Sequence, residues 1–487
     1  MTLYKSYWFQ SQIFCNSQHV PKHHYYTETE VKIGDIGKTT TMACNHFRLV
    51  KPPPWPMTTT RTCTTALSKH GERFFTSLAT TTTTNDPSKL IKKFIASSSK
   101  SVALDAISHL VSPNTPPPLS RRLSPLAFPL YIEISKMPWF SWNAKLIADV
   151  IASLYKDKKF DEAQTLLSEV ETILASKQRD LCNFYCNLMD SHSKHQSKQG
   201  IFDAYGRINQ LSSHSSSIYL KKRSYESIIS SLSVINMPHE AENSMVEMKN
   251  QGIRPSVFEY RSLSYAYGRL GLFEDMKRVI GLMEDDGFKL DVVSSNMVLS
   301  SLGSHNELIE MLAWLKRMKN LKTPFSIRTY NSVLNHCPNL ISILEPKGIK
   351  PTSLETLFQN LNHDESTLIQ ELIEPSILAE SMELTSSELK LDLHGMHVGT
   401  AYLVLLQWFH DIRMRYLTKS FKFPDNVTVV CGSGKHSAVR GESPVKGLVK
   451  EMTTQMKSPL KIDRKNVGCF VAHGKLFMNW LCEISYT

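Results

Sequence analysis

The sequence has no long hydrophobic run. Hydrophobic residues make up 41% of its 487 residues, yet no stretch approaches the roughly 20 consecutive apolar residues that a membrane-spanning helix needs. We therefore expect no transmembrane helix. The chain is also too long for a single core, so two to four domains are expected.

Disulfide-like cysteine spacing is also missing. Nine cysteines are scattered along the chain, which argues against a disulfide-stapled secreted domain and favours free thiols in a reducing compartment. Cys182, Cys186, His192 and His195 have the residue types of a zinc site, but their spacing on a predicted helix is loose. We interpret them as buried or idle residues.

Acidic residues are absent from residues 42–71, which contain four Lys or Arg and seven Ser or Thr. This composition is typical of an organellar transit peptide. We predict a disordered, transit peptide-like leader over 42–87, a start at Met42, and a doubtful upstream extension over 1–41. Because no arginine-rich amphipathic helix is evident, the chloroplast is favoured over the mitochondrion. A simple disordered tail is the alternative.

Charge is distributed unevenly behind this leader. The formal net charge is +11, which favours polyanionic partners. Residues 391–487 carry 13 Lys or Arg against 7 Asp or Glu, whereas 351–390 carry 1 against 8. We predict a helical segment at 88–112, a Pro-rich linker at 113–141, and an acidic linker or degenerate repeat at 346–389. A linker there would let the C-terminal domain swing.

The middle of the chain, about 142–345, is repetitive. Successive units start 35 residues apart, and each contains two helical patterns. Gly252 and Gly287 end the second helix of adjacent units. This predicts five or six stacked helix-turn-helix units. The regular units begin at Tyr225, Tyr260, Ser295 and Tyr330.

Two motifs mark the C-terminal hundred residues. In Leu391-Asp-Leu-His-Gly395, a strand would place Asp392 and His394 on one face, because side chains at i and i+2 share a side. Cys431-Gly-Ser-Gly-Lys-His-Ser437 lies between a predicted strand and a predicted helix, where backbone N–H groups can hold a phosphate. The predicted elements are strand 390–394, helix 398–417, strand 427–431, helix 444–456 and one or two strands in 460–472.

These residues suggest a site for chemistry on nucleic acid. Asp392 would orient a water or a divalent cation, and His394 would move a proton near neutral pH. Alternatively, the pair forms a structural hydrogen bond and the glycines only close a tight turn. The predicted phosphate and nucleic-acid contacts are Gly432, Gly434, Lys435, His436, Ser437, Arg440, Lys446, Lys450, Arg464 and Lys465.

The repeats resemble the pentatricopeptide repeat family, with Tyr heading the first helix and Met248-Lys-Asn-Gln-Gly-Ile-Arg-Pro255 closing a unit. Tetratricopeptide repeats carry a Trp-Leu-Gly signature that is missing here. Residues 390–487 resemble the small MutS-related domain through Leu391-Asp-Leu-His-Gly395 and the glycine loop. Together they resemble a plant organellar class that joins both parts. The implied fold is an α-solenoid followed by a small α/β domain.

The resemblance implies an organellar protein that binds single-stranded or structured RNA and acts in RNA processing, with endonuclease cleavage by the C-terminal domain. The alternative is a non-catalytic adaptor or chaperone, with nucleoid or ribosome-associated proteins as further partners. No cofactor is implied beyond a divalent cation. Asn296 and Asn331 fit the family's preference for base reading, whereas Glu226 would repel phosphates. The base-reading candidates are Glu226, Ser256, Arg261, Asp291, Asn296, Ser326 and Asn331.

Overall fold

The structure is a computed structural model that describes residues 67–80, 86–112, 123–213, 217–345, 353–373, 377–418, 423–432, 434 and 443–483. The predicted upstream extension and most of the transit peptide-like leader lie outside these residues. Among the helices described, none combines the length and apolar character of a membrane span.

In the described residues, four α-helices precede the repeats. Helix α1 (Lys69–Thr80) packs on α2 (Pro87–Ser97) and α3 (Lys100–Leu110), and α4 (Ala127–Ser135) packs on α2 and α3. The rings of Phe74 and Phe94 stack with centroids 3.9 Å apart. The predictions of disorder over 69–80 and of a linker over 127–135 were therefore wrong. Pro129 lies in the first turn of α4, where a helix does not need the missing N–H.

The middle of the chain is a helical repeat solenoid. Each first helix packs on the first helix of the next unit, which makes a continuous row, and the second helices pack beside them. The first helices are α5 (Ala144–Lys156), α7 (Gln178–Lys194), α9 (Ile218–Val234), α11 (Val257–Arg269), α13 (Val292–Ser304) and α15 (Ile327–Leu334). The second helices are α6 (Phe160–Leu174), α8 (Lys198–Ser213), α10 (Pro238–Asn250), α12 (Phe273–Asp285) and α14 (Leu308–Asn320).

Local sequence sets where these helices begin and end. Gly252 and Gly287 follow α10 and α12 with φ of +72° and +86°, a conformation that glycine adopts without steric cost. At the start of the next first helices, the side chains of Ser256 and Asp291 accept hydrogen bonds from free backbone N–H groups. The 35-residue period therefore has a physical basis in repeated stop and start signals.

The acidic segment after the repeats is folded. Helix α16 (Pro338–Ile343) is followed by α17 (Leu354–Asn360), α18 (His363–Ile373) and α19 (Leu378–Ser381). Helix α18 packs on α14, and Lys319 forms a salt bridge of 2.7 Å with Glu371. A similar pair, Arg317 and Glu284 at 2.5 Å, joins α14 to α12. Helix α18 thus takes the position of a further second helix, so a swinging linker does not fit.

A buried carboxylate and a buried phenol fix this segment. Glu365 is fully buried and accepts hydrogen bonds from the N–H groups of Asn339 (2.9 Å) and Leu340 (3.0 Å) at the start of α16. The hydroxyl of Tyr330 donates to the carbonyl oxygen of Leu372 at 2.9 Å and accepts from the N–H of Ile377 at 3.3 Å. The segment is therefore attached to α15, the first helix of the last repeat unit.

The C-terminal residues form a small α/β unit. Its elements are β1 (Met382–Leu384), β2 (Glu388–Asp392), α20 (Val398–Leu417), β3 (Asn426–Val430), α21 (Pro444–Gln455), β4 (Lys461–Ile462), β5 (Cys469–His473) and α22 (Gly474–Glu483). The sheet has the order β1-β2-β3-β5-β4, with β2 and β3 parallel and the other pairs antiparallel. The predicted helix at 398–417 is present, but the first predicted strand ends at Asp392, and β1 and α22 were not predicted.

Helix α20 belongs to both parts of the chain. Residues 399–409 are buried without interruption, so the helix has no solvent face there. It packs on α21 and α22 of the α/β unit and on α15 of the repeats. A Cβ placed on Gly399 would stand 3.3 Å from the Cβ of Leu334, so the two helices approach closely at this glycine. The first-helix row therefore continues into the α/β unit.

Candidate nucleic-acid interface

Asp392 ends strand β2, and a tight turn carrying His394 follows. The Asp392 carboxylate oxygen Oδ1 accepts a hydrogen bond of 2.8 Å from the backbone N–H of His394. Gly395 closes the turn with φ of +81°. Leu391 and Leu393 are fully buried, whereas Asp392 is half-buried and His394 is exposed. The carboxylate thus fixes the turn through the backbone, and the imidazole faces solvent.

Gly432, near the start of the glycine loop, lies beside this turn. Gly432 and Gly434 have φ of +78° and +70°, so both occupy the left-handed region. A Cβ added to Gly432 would stand 3.5 Å from Cδ2 of His394, so the ring passes close to the loop backbone. The structure therefore brings His394 and Gly432 together. Lys435, His436, Ser437 and Arg440 lie outside the described residues.

Cys431 is a structural residue of this loop. Its N–H donates to the carbonyl oxygen of Gly468 at 2.8 Å, and its carbonyl oxygen accepts from the Ser443 hydroxyl at 3.3 Å. Burial raises the pKa of the Cys431 thiol to about 12. A protonated, buried thiol is a poor nucleophile and a poor metal ligand. Cys431 therefore holds the loop and does not supply its chemistry.

The predicted cationic residues of the α/β unit lie at its surface. Lys450 on α21 and Arg464 and Lys465 in the turn after β4 are exposed, and Lys446 is half-buried. In the part of the chain that the structure describes, none of these four forms a salt bridge. Lys390, in contrast, pairs with Glu383 at 3.1 Å. The four unpaired cations are therefore available to phosphates.

Two predicted base-reading pairs are in direct contact. The Arg261 guanidinium forms an ion pair with Asp291 of the following unit and also donates to the Ser294 hydroxyl at 3.0 Å. One repeat further on, the Asn296 amide donates to the Ser326 hydroxyl at 3.2 Å. Asn296 is only 2% exposed, so Ser326 is the more exposed member of that pair. Each pair spans the junction between two units.

The third predicted pair differs. Glu226 forms salt bridges with Arg223 (2.8 Å) and Lys222 (3.8 Å) of its own helix, which compensates its negative charge. Ser256 is engaged with Glu259 in a capping box at the start of α11. No contact between Glu226 and Ser256 is present among the described residues. These two residues act within their own helices.

Asn331, a predicted base-reading residue, contacts the α/β unit. Its side chain is 8% exposed and bonds to the α/β unit at three points. The amide N–H donates to the carbonyl oxygen of Gly395 at 3.1 Å, and Oδ1 accepts from the N–H of His397 (2.9 Å) and the hydroxyl of Thr400 (2.8 Å). Through these three contacts, the Asn331 side chain joins α15 to the segment that follows His394.

Phe258 and Val293 are exposed apolar residues that the sequence pattern did not predict as part of the interface. They occupy equivalent positions on α11 and α13, 35 residues apart, and are 36% and 40% exposed. Each lies three residues before a predicted base-reading residue, Arg261 or Asn296. A sequence signal for them exists: apolar residues recur with the 35-residue period at a helix position that the packing of the repeats leaves exposed.

Cys182, Cys186, His192 and His195 lie in α7 and at its C-terminal end. Cys182 and Cys186 are buried free thiols, and His192 is 1% exposed. The described residues contain no group of three or more His, Cys, Asp or Glu suited to hold a metal ion. At the Asp392 turn, a divalent cation would therefore have Asp392 as its protein carboxylate and would need phosphate or water for the remaining ligands.

Comparison with known proteins identifies the repeats. A profile described as "Pentatricopeptide repeat domain" matches residues 243–305, and one described as "PPR repeat" matches 223–253 and 293–322. A pentatricopeptide repeat-containing protein of Arabidopsis thaliana is 49% identical over 420 residues, which cover 86% of this chain and 83% of that protein. The chain belongs to the pentatricopeptide repeat family.

Two further pentatricopeptide repeat proteins match this chain at lower identity. The chloroplastic pentatricopeptide repeat-containing protein ATP4 of Zea mays is 23% identical over 277 residues, which cover 53% of this chain and 39% of that protein. A crystal structure of the pentatricopeptide repeat protein PPR10 from maize has 12% identity and a TM-score of 0.31, covering 80% of this chain and 62% of that chain. The plant type of this chain follows from its 49% identity to the Arabidopsis thaliana protein.

Proposed function

We propose that this pentatricopeptide repeat protein binds single-stranded RNA in an organelle, along the row of first helices, and takes part in RNA processing. The observation that carries this proposal is the contact between Arg261 and Asp291 and its counterpart between Asn296 and Ser326. Both pairs present polar groups at the same place in successive units. Such a regular ladder of hydrogen-bonding groups suits a polymer with a regular repeat.

The exposed Phe258 and Val293 support the same surface. Apolar side chains beside polar reading groups offer faces on which bases stack, a contact worth about 1–3 kcal/mol per base for aromatic residues. Lys446, Lys450, Arg464 and Lys465 of the α/β unit would extend the contact to phosphates of the RNA. The relatives named chloroplastic support a chloroplast location, with the mitochondrion as the alternative.

RNA cleavage by the α/β unit, read as a small MutS-related domain, is the finer part of the proposal. His394 would take a proton from an attacking water, and backbone N–H groups near Gly432 would hold the phosphate. The leaving ribose oxygen would gain a proton from solvent, which balances the hydrolysis. The bond from His394 to the Asp392 carboxylate favours the alternative, a binding unit without turnover, because that oxygen already serves the backbone.

RNA binding is tested with the purified full chain and a random single-stranded RNA pool. We expect selected sequences to show a base preference that Arg261→Ala weakens. Phe258→Ala should lower affinity about 5- to 100-fold, the range of one lost base stack. A chain that binds no RNA above a neutral control protein at low salt would refute the proposal.

Cleavage is tested separately. If the α/β unit cuts, His394→Ala and Asp392→Ala should abolish new RNA ends and keep binding. Asp463→Ala is the matched control, because Asp463 accepts from the N–H of Lys465 at 3.0 Å in the same kind of turn. We expect this control to keep cutting. Wild-type protein that binds and never cuts, with or without Mg²⁺, would leave the non-catalytic adaptor as the function.

The location is tested by fusing residues 42–87 to a fluorescent reporter in plant cells. The leader composition predicts import into chloroplasts. Import into mitochondria, or the absence of import, would contradict that prediction. Neither result would affect the RNA-binding proposal, which is tested separately.

A further inference from the structure

Two asparagines, Asn296 and Asn331, occupy equivalent positions 35 residues apart, yet they have different partners. The amide of Asn296 bonds to Ser326 within the repeats, and its Oδ1 has no partner in the described chain. The amide of Asn331 makes three bonds, each to the α/β unit. Asn331 therefore connects the last repeat unit to the α/β unit.

The three bonds of Asn331 converge on one short segment, the turn and helix start after His394. Gly395 supplies a carbonyl oxygen, and His397 and Thr400 supply an N–H and a hydroxyl at the beginning of α20. Asn331 thus satisfies one of the free N–H groups at the N-terminus of α20, a task that a capping residue of the same helix normally performs. Its partner lies 66 residues away in the chain.

The surrounding contacts reinforce this docking. Asn335, one turn after Asn331, bonds to the ring of His397. Leu334 and Leu340 both come within 3.5 Å of the position that a Gly399 side chain would fill. Polar and apolar contacts therefore meet at the same junction, and they leave little freedom for the turn to move relative to α15.

We propose that Asn331 is a positioning residue, which ends base reading by the repeats and fixes the His394 turn beside the last reading pair. The inference rests on the proposed RNA binding along the first helices. At Asn331, the next position of this kind along the first helices, a further pair would read a base. The turn that carries His394 occupies that position instead. An RNA nucleotide adjacent to the one at Ser326 then meets His394 and Gly432.

Three variants of the full chain test this inference. Asn331→Ala removes all three bonds. Thr400→Val removes one hydroxyl donor with little change of shape and serves as the milder variant. Asn296→Ala is the matched control, because it removes the equivalent amide and has no bond to the α/β unit.

The first measurement is hydrogen exchange of residues 393–400. We expect Asn331→Ala to speed exchange at least about tenfold, since the segment loses three hydrogen bonds to α15. Thr400→Val should give a smaller acceleration in the same residues. Asn296→Ala should leave their exchange at the native rate. Equal rates in the native chain, Asn331→Ala and Thr400→Val would overturn the positioning role.

The second measurement uses RNA with 4-thiouridine at single positions, crosslinked to the native chain and each variant. The native chain should crosslink the 393–400 segment from one narrow RNA position relative to the selected motif. Asn331→Ala should spread those crosslinks over several positions and keep the selected base preference. A changed base preference at one RNA position, with unchanged crosslinks, would show that Asn331 reads a base.

The two proposals fail separately. If no RNA binds, crosslinks are absent for every variant and RNA binding is refuted, while hydrogen exchange still reports the docking by Asn331. If RNA binds and the crosslinks of the native chain are already spread, the fixed position of the turn is refuted and RNA binding stands.

Discussion

Single buried polar groups have a large effect in this chain, because each is placed where backbone groups need it. Glu365 is the clearest example: it is fully buried, and both its carboxylate oxygens serve N–H groups at the start of α16. A carboxylate in this place is stabilised by the hydrogen bonds and by the dipole of the helix end. Asp364, the residue before it in the sequence, is exposed.

Glu365→Ala should lower the free energy of unfolding by about 2–4 kcal/mol, because two buried N–H groups lose their charged partner. Glu355→Ala in the same acidic segment is the control, and its exposed carboxylate should matter by less than about 0.5 kcal/mol. Urea unfolding followed by circular dichroism measures both. A loss below that of the control would contradict the capping role.

Buried histidines should make the repeats sensitive to acid. Burial lowers the pKa of His192 to about 3 and that of His195 to about 4. The unfolded chain protonates these rings near pH 6.5, whereas the folded chain does not until the pH falls much further. Stability is therefore lost as the pH falls below about 6.5, by about 1.4 kcal/mol per pH unit for each ring.

His192→Phe should make this loss shallower by about 1.4 kcal/mol per pH unit between pH 6 and 4, since one proton fewer is taken up on unfolding. Phenylalanine keeps the ring that packs against Tyr155, with centroids 4.7 Å apart. Urea unfolding at several pH values gives the slope. An unchanged slope would mean that His192 is protonated in the folded chain.

The sequence identified residue types better than it identified their partners. Asn331 fits the repeat pattern, and the pattern alone predicts a base reader. Its partners lie 64 to 69 residues downstream, in a segment with a different fold, so no local pattern reports them. Asp392 and His394 were predicted as a pair, but their contact runs through the backbone of His394, which residue identity does not encode.

Elements were predicted where periodicity was strong. Helix α20 matches its predicted range, 398–417, because its apolar residues recur over five turns. Helix α4 was not predicted because its one proline, Pro129, and the prolines before it indicate a linker, although Pro129 lies in the first turn of the helix. Helix α22 was missed because it is short, begins at Gly474 and follows a strand directly.

Two glycines distinguish a helix face that docks from one that does not. Gly399 on α20 faces Leu334, whereas a Cβ on Gly447 of α21 would meet nothing within 4 Å. Gly447→Ala should raise the free energy of unfolding by about 0.5–1 kcal/mol, because alanine favours the helix. Gly399→Leu should lower it and increase proteolysis between α19 and α20. Equal effects at both glycines would contradict the close approach of α15 and α20.

At the scale of the whole molecule, the charge is divided between an acidic segment and a basic unit in which Lys446, Lys450, Arg464 and Lys465 form no salt bridge among the described residues. The acidic residues of 353–373 are used in part for internal bonds, such as Glu365 and Glu371. The cations of the α/β unit remain at the surface. The net charge of +11 therefore understates how positive the proposed RNA-facing end is.

Under the proposed function, the affinity for single-stranded RNA should fall as salt rises. Each lysine that contacts a phosphate contributes a slope of about −0.7 in log affinity against log salt concentration. Lys446→Ala and Lys450→Ala should each reduce the slope by about that amount. Lys390→Ala is the control, because Lys390 already pairs with Glu383. A slope that neither lysine changes would remove α21 from the RNA path.

The sharing of α20 between the repeats and the α/β unit limits how this protein can change in evolution. A helix pair duplicated after α15 would separate Asn331 and Leu334 from the segment they hold and would expose the closely packed face around Gly399. A pair duplicated further upstream would leave that junction whole. Growth or loss of repeats should therefore be confined to units before α15, while the last unit and the α/β unit are inherited together.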